Sequence, residues 1–278
     1  MMQYNFVRYL EAKTTVDDRA LNRVVWDTMA ESLRAQTAGS EARVFEAGAG
    51  SGTMLARLHR WGLHPQIRYT GLDENADNVA HARTQYPNAT FIQTDLFDIG
   101  DRVPANGFEL VIANALLDLL SLKTALPLLL SRLRPGGVFY FTINFDGETI
   151  FEPLLDPALD QAVLDAYHHT MDTRQRDGKP TGDSKTGRKL IPALQGLGAE
   201  IRAAGSSDWV VYAGRDGYPA DEAYFLHHIL HFFATSLNNH PDIPAKSLRK
   251  WLETRHKQVE SGELVYIAHQ LDVTGVVR

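Results

Sequence analysis

Short apolar runs alternate with helical patterns in the first half of the chain. The runs are bounded by glycine or polar residues, which is typical of buried strands in a parallel sheet. They occur in order at residues 44–45, 66–72, 90–93, 108–113 and 138–143. The segments between them, beginning with residues 53–58, carry apolar residues at helical spacing. This alternation predicts an α/β fold with a mostly parallel sheet and helices on both faces.

The second half of the chain continues the alternation but contains longer helical stretches. Helical periodicity is found at residues 156–171, 188–197, 221–237 and 245–260. Further strands are expected at residues 199–204, with an extension at 209–213, and at 263–271. Open sheets often carry an antiparallel strand beside the parallel ones. We therefore predict a Rossmann-like, seven-stranded sheet with an antiparallel last strand and helical cap insertions.

A glycine-rich turn follows the first strand, in residues 46–52, Glu-Ala-Gly-Ala-Gly-Ser-Gly. A strand that turns at once into a helix leaves free backbone N–H groups for a ligand, and glycine lets that ligand come close. The spacing is G-x-G-x-G, whereas dinucleotide binders have G-x-G-x-x-G. Glu46, just before the first glycine, would repel a pyrophosphate but suits a ligand that carries an ammonium group.

Polar residues also follow the next three strands. Asp73 comes about twenty residues after the glycines, where an acid can accept hydrogen bonds from both ribose hydroxyls of a nucleoside. Asp95 can accept the exocyclic amine of an adenine, with Leu96 covering the face of the ring. The fourth strand ends at Asn114 and Ala115. Because open α/β sheets bind ligands at the carboxyl ends of their strands, we expect these residues to share one site.

This ordered set resembles the class I S-adenosylmethionine-dependent methyltransferases over residues 43–143, and more weakly towards the C-terminus. The resemblance implies S-adenosylmethionine as cofactor, with Glu46 near its amino group. Glu46 stands where the family more often has aspartate. The methionine end of the cofactor would be lined by the residues of the turn, Gly48, Ala49, Gly50 and Gly52.

The same resemblance assigns the nucleoside end of the cofactor to the following strands. Asp73 would hold the ribose, with Glu74 beside it, and Asp95 with Leu96 would hold the adenine. Asn114, followed by Ala115, would border both the cofactor and the methyl acceptor.

Four segments are expected along the chain. They are an N-terminal helical segment or lid at residues 1–40, a cofactor-binding core at 41–145, a helical cap at 146–198, and the rest of the sheet at 199–278. A second helical insertion lies at about residues 219–260. Because both insertions follow strands whose ends face the ligand crevice, we expect them to select the acceptor.

Composition narrows the function classes. The 28 basic and 34 acidic residues give a net charge of −6, which disfavours a nucleic-acid partner. The absence of cysteine excludes disulfides, thiolate metal sites and cysteine nucleophiles, and no metal is expected. Residues 1–6 resemble neither a charged leader nor an apolar signal core, and the apolar region at 115–130 is broken by polar residues and proline. The expectation is a cytoplasmic enzyme without membrane contact.

Methyl transfer requires alignment of two reactants more than a covalent intermediate, and a general base is needed only for a poor nucleophile. Asp118, after the fourth strand, is a candidate base, although an acid at a helix start is also typical there. His168 and His169 are candidates on the first inserted helix, or ordinary half-exposed histidines. His227 is a third, four residues before His231. A packed aromatic helix is favoured there over a metal site.

Two segments are candidate lids. Residues 174–189 contain six basic residues and two acids, so this loop is either a mobile lid that attracts an anionic acceptor or a solvated loop. Residues 9–13, with Arg19, would either fold over the cofactor, where a basic residue can meet its carboxylate, or form a surface helix.

These observations predict an S-adenosylmethionine-dependent methyltransferase that acts on a small-molecule acceptor by direct in-line transfer. A protein or nucleic-acid methyltransferase and a non-catalytic cofactor-binding domain are the alternatives. A nicotinamide-dependent oxidoreductase is disfavoured, because it would need the third glycine one residue later and has no use for Asp95. A homodimer stays open.

Overall fold

A computed structural model of the protein describes residues 3–64 and 66–278. Met1 and Met2, which belong to the predicted N-terminal segment, lie outside the described residues, as does Pro65. The rest of that segment forms three helices, α1 (Phe6–Ala12), α2 (Thr14–Ala20) and α3 (Arg23–Thr37). The side chain of Asn22 accepts hydrogen bonds from the first-turn N–H groups of α3, and this cap fixes where the helix begins.

A single long sheet forms the centre of the molecule. Its strands are β1 (Ala42–Ala47), β2 (Ile67–Asp73), β3 (Thr90–Gln93), β4 (Phe108–Asn114) and β5 (Leu133–Glu152), and, after a separate hairpin of β6 (Gln175–Arg176) and β7 (Lys179–Pro180), β8 (Glu200–Ser206), β9 (Trp209–Val211) and β10 (Val265–Val276). The order is β3-β2-β1-β4-β5-β10-β8, with β9 also paired to β10. The pairs among β1 to β5 are parallel, and β10 is antiparallel to its neighbours. The Rossmann-like prediction is therefore confirmed.

Helices cover both faces of the sheet. The remaining ones are α4 (Thr53–Arg60), α5 (Ala76–Gln85), α6 (Leu122–Leu130), α7 (Pro157–Asp172), α8 (Thr186–Gly196), α9 (Glu222–Ser236) and α10 (Ala245–Ser261). Within the described part of the chain, none of the helices is both long and apolar enough to cross a membrane.

Two hydrophobic cores lie on opposite faces of the sheet. Val44 and Tyr140 belong to the core that includes residues of α3, α4, α7 and α9, whereas Phe45 and Phe141 belong to the core with α6 and α8. Successive residues of a strand point to opposite faces. Because both faces are covered, these strands appear in the sequence as continuous apolar runs rather than as alternating patterns.

The fifth strand is longer than the sequence pattern indicated. It was expected at residues 138–143, but β5 continues to Glu152 and pairs along its length with β10. Polar residues and a glycine at 146–148 interrupt the apolar run. Beyond them, buried and exposed residues alternate along the strand, and Phe151 is buried. The ring of Phe151 contacts Phe233 and Trp251, so this arm of the sheet supports the cap helices α9 and α10. The arm extends beyond β4, whose last residue pairs with Thr142.

Candidate active site

The glycine-rich turn is pinned to the end of the neighbouring strand. Gly48, Gly50 and Gly52 have φ angles of 69°, 53° and 86°, which lie in the left-handed region that favours glycine. The Gly50 N–H donates to Asp73 Oδ2 at 2.9 Å, and the Ala49 N–H donates to a backbone carbonyl at the end of β2 at 2.8 Å. The turn and the acid predicted to hold the ribose therefore form one preorganised unit.

Two leucines from outside this turn lie against it. A Cβ atom built on Gly48 would be 2.9 Å from Leu116 Cδ1, and one on Gly50 would be 2.9 Å from Leu10 Cδ1. Leu10 belongs to α1, so this helix contacts the turn, while its role as a lid over the cofactor stays a prediction. Leu10 lies in the segment at residues 9–13 that was a candidate lid, whereas the contact of Leu116 was not predicted, because nothing local in the sequence links it to the glycines.

Glu46 is the last acid before the turn and is 1% exposed. Tyr69 of β2 donates its hydroxyl hydrogen to Glu46 Oε2. Burial raises the pKa of Glu46 to about 8, and the Tyr69 hydrogen bond and the charge of Arg57 offset this rise only in part. At neutral pH the carboxyl is therefore mostly protonated, and a bound ammonium group would favour its ionised form.

Asp73 is held by three hydrogen bonds. Besides the bond from Gly50, its Oδ1 atom accepts from the Asn75 N–H at 2.9 Å and from Asn78 Nδ2 at 3.1 Å. A carboxylate has about four acceptor positions. Asp73 therefore has a fixed orientation and retains about one acceptor position for a ligand hydroxyl.

The adenine-side residues lie at the end of β3. Asp95 Oδ1 accepts the Phe97 N–H at 2.6 Å and starts a 3₁₀ turn, and Leu96 within that turn is buried. Arg176 of the β6–β7 hairpin reaches across to this place. Its Nη2 atom is 2.8 Å from Asp95 Oδ2 and 2.7 Å from Glu74 Oε2. This contact between the loop and the cofactor residues was not predicted.

The chain turns sharply where β4 ends. Asn114 Oδ1 accepts the Thr142 hydroxyl at 2.9 Å, and the Ala115 N–H donates to the Thr142 carbonyl at 2.9 Å. Ala115 has a φ of 50°, a left-handed conformation that is uncommon outside glycine. This turn directs the following residue, Leu116, back towards the glycines.

Asp118 lies beside residues from both predicted lids. Burial raises its pKa to about 6, and the nearby cations Arg174 and Lys13 offset the rise in part. Burial raises the pKa of Tyr9 of α1 and of Tyr167 of α7, and the charge of Asp118 adds to the rise at each phenol, so Asp118 lies within electrostatic range of both. Asp118 thus interacts electrostatically with side chains from the N-terminal segment, from α7 and from the polar loop.

The three candidate histidines do not come together with Asp118. His168 Nε2 is 3.1 Å from the Thr149 hydroxyl, and His169 is exposed; both line a polar recess of about 430 Å³. His227 Nδ1 is 2.7 Å from the Nδ1 of His256 on α10. Across residues 3–64 and 66–278, none of the three side chains hydrogen-bonds to a predicted cofactor residue, nor do any three His, Cys, Asp or Glu residues form a group suited to a metal ion.

Adjacent residues of a helix face different directions, because each residue is rotated by about 100° from the one before it. This rotation decides which residues of α7 and α9 turn towards neighbouring elements. On α7 it is Tyr167 that turns inwards, where its ring stacks on Phe233 at 3.9 Å. On α9 it is His228 that faces α1, stacked on Tyr9 at 4.5 Å. Which residues of these two helices face the acceptor stays a prediction.

The geometry agrees with a comparison against known families. Residues 44–137 match a family model described as a methyltransferase domain. This segment contains the glycine turn and the acids at the ends of β2 and β3. Residues 44–137 therefore form a methyltransferase domain.

A named methyltransferase matches part of the chain. The trans-aconitate 2-methyltransferase of Azoarcus sp. (strain BH72) is 39% identical over 109 residues, which cover 38% of this chain and 41% of that protein. The match thus spans about two fifths of the relative's own length.

Two solved structures have a fold similar to that of this chain over its whole length. Methyltransferases from Thiobacillus denitrificans and Geobacter sulfurreducens, both in complex with S-adenosylhomocysteine, align over 100% of each chain. Their TM-scores are 0.51 and 0.50, and their identities are 17% and 18%. At such identities the likeness is one of fold.

Proposed function

We propose that this protein transfers the methyl group of S-adenosylmethionine to a small-molecule acceptor. The main support is the arrangement of Glu46, Asp73, Asp95 and Asn114 at the carboxyl ends of four adjacent parallel strands. Ligands of open α/β sheets bind at this edge. The relative from Azoarcus is named for a small molecule, trans-aconitate, which favours an acceptor of that size over a macromolecule.

The residues of this edge fit the cofactor. When bound, S-adenosylmethionine would supply an activated methyl group on its sulfonium. The glycine turn would accommodate its methionine end, Glu46 its ammonium group, Asp73 its ribose, and Asp95 its adenine. Leu96, buried beside Asp95, supplies an apolar surface for the base.

On the acceptor side, the chain would contribute mainly alignment and exclusion of water. Tyr9, Asp118 and Tyr167 come from three separate elements, so an acceptor between them would be fixed relative to the cofactor edge. Such alignment can contribute roughly 7–11 kcal/mol to lowering the barrier. With a pKa of about 6, Asp118 is mostly ionised at neutral pH and can accept a proton at its carboxylate when the acceptor nucleophile carries one.

Calorimetry with S-adenosylhomocysteine and with NAD tests the cofactor. We expect heat with the former and none with NAD at low-millimolar concentration, because the spacing of the glycines is not that of dinucleotide binders. Replacing Asp73 with Ala should weaken binding about ten- to hundredfold, or about 1–3 kcal/mol. Asp77→Asn, at an exposed acid on α5, is the matched control and should bind like the wild type. Tight NAD binding without heat from S-adenosylhomocysteine would overturn the proposal.

Turnover is tested separately from binding. The protein and labelled S-adenosylmethionine are added to a metabolite mixture from the native host that includes organic acids. We expect one small molecule to gain one methyl mass, and to gain none with Asp73→Ala. Label found only on protein would indicate a protein acceptor. Binding with no labelled product at all would indicate a non-catalytic domain.

A further inference from the structure

The β6–β7 hairpin contacts the cofactor-site acids through one side chain. Arg176 Nη2 lies between Glu74 Oε2 at 2.7 Å and Asp95 Oδ2 at 2.8 Å. Glu74 directly follows β2, and Asp95 lies just beyond β3, so the guanidinium bridges two neighbouring strands at the ligand edge. The Arg176 side chain is 49% exposed, that of Glu74 58% and that of Asp95 19%. The bridge therefore lies at the outer mouth of the cleft.

The base of the hairpin is held by hydrogen bonds, and its tip is a tight turn. The Thr181 N–H donates to the Arg174 carbonyl at 2.9 Å, and the Thr181 hydroxyl donates to the Leu119 carbonyl at 2.7 Å. At the tip, Asp177 and Gly178 have φ angles of 51° and 72°, as in the two-residue turns that favour tight hairpins. The hairpin is thus a short element with a regular turn, and its base is hydrogen-bonded to the chain next to Asp118.

Arg176 contacts the Asp95 oxygen that is least occupied by other donors and most open to the proposed adenine amine. Asp95 Oδ1 accepts the Phe97 N–H, so Oδ2, which takes no backbone donor, is the oxygen with more acceptor capacity for a ligand amine. That oxygen is bonded to Arg176. A guanidinium and an exocyclic amine would compete for it.

We propose that Arg176 is a latch on the nucleoside end of the cleft, and that it must leave Asp95 and Glu74 before adenosine binds. This inference rests on the proposed function. Exposed ion pairs hold their partners weakly, so the latch opens readily and limits the rate of ligand entry by a modest factor. Its release also frees the hairpin, which lies in the polar loop that the sequence left open as either a mobile lid or a solvated loop.

The test compares Arg176→Gln with Lys179→Gln. Both changes remove one positive charge from the same hairpin, and Lys179 makes no ion pair within the described residues. Surface plasmon resonance with S-adenosylhomocysteine measures association and dissociation rates. For Arg176→Gln we expect association about three to ten times faster, an almost unchanged dissociation rate, and a correspondingly lower Kd. Lys179→Gln should resemble the wild type.

Salt and proteolysis provide independent readouts. Added salt screens the ion pairs, so it should narrow the difference in association rate between the wild type and Arg176→Gln. Trypsin should cleave the wild-type hairpin faster when S-adenosylhomocysteine is present. Slower association or weaker binding by Arg176→Gln, or rates equal to those of Lys179→Gln, would overturn the latch while leaving the proposed function intact. A wild type that does not bind S-adenosylhomocysteine would overturn both.

Discussion

Replacing Glu46 with Gln should stabilise the protein at alkaline pH while impairing cofactor binding. Glu46 is buried, and its folded-state pKa is about 8 against an ordinary value of 4.5. A raised carboxyl pKa means that the folded state favours the neutral form. Stability from this group is therefore fully present below about pH 4.5 and is lost progressively as the pH rises to about 8. Gln is neutral at every pH and keeps an oxygen that can accept the Tyr69 hydroxyl.

The magnitude follows from the size of the pKa change. Moving the pKa from 4.5 to about 8 corresponds to about 5 kcal/mol in total, at about 1.4 kcal/mol per pH unit. Between about pH 5.5 and 8.5, the wild type should lose about 3 kcal/mol relative to the variant. With an unfolding entropy of about 2.1 cal/mol/K per residue, a chain of 278 residues converts this into a relative change in Tm of about 5 °C.

Denaturant unfolding of the wild type and of Glu46→Gln, at about pH 5.5 and about pH 8.5, measures the difference in their free energies of unfolding. Glu109→Gln is a matched control at another buried glutamate. Burial alone would raise the pKa of Glu109, but hydrogen bonds from Arg43 outweigh it and lower that pKa. Glu109→Gln should therefore destabilise the protein by nearly the same amount at both pH values. If the difference between wild type and Glu46→Gln did not change with pH, Glu46 would be ionised in the folded protein and the reasoning would be wrong.

Three further predictions concern the acceptor side. If Asp118 accepts a proton from the acceptor, kcat/KM should fall about tenfold per pH unit below its pKa of about 6, and Asp118→Asn should remove this limb of the pH profile; a profile shared by both proteins would exclude that role. Tyr167→Ala should raise the acceptor KM severalfold without changing the Kd of S-adenosylhomocysteine, since Tyr167 lies by Asp118; an unchanged KM would remove Tyr167 from the acceptor site. His227→Ala should lower Tm but leave acceptor kinetics unchanged, because His227 pairs with His256 between α9 and α10; altered kinetics at unchanged Tm would contradict this.

The elements with strong local signals were predictable from the sequence. The third strand was expected at residues 90–93, as found in β3. The helix expected at 156–171 is α7, whose first turn is capped by Asp156 and begins with Pro157. The acids after β2 and β3 were found because strand ends in parallel sheets share an edge. In each case the signal that predicts the element is carried by residues close together in the sequence.

Contacts between distant segments were not predictable in this way. Leu10 reaches Gly50, Leu116 reaches Gly48, and Arg176 reaches residues about 80 and 100 positions earlier. The first two are ordinary apolar residues in the sequence, and Arg176 is one cation among several in a polar loop. Their positions depend on how whole elements pack, which hydrophobic periodicity does not specify. The same limit applies to the rotation of α7, because periodicity does not specify whether Tyr167 or His168 packs against α9.

The division between the cofactor core and the segments around it has a functional consequence. Of the three side chains around the proposed acceptor position, Tyr9 and Tyr167 lie outside the matched domain at residues 44–137, and only Asp118 lies within it. A scaffold of glycine turn and strand-end acids can serve many reactions, since function depends on the residues placed around it. Changes in α1 or α7 should therefore alter which acceptor is used, whereas changes at Asp73 or Asp95 should alter cofactor affinity for every acceptor alike. The latch is the exception to this division, because Arg176 belongs to a cap segment yet acts on the cofactor end.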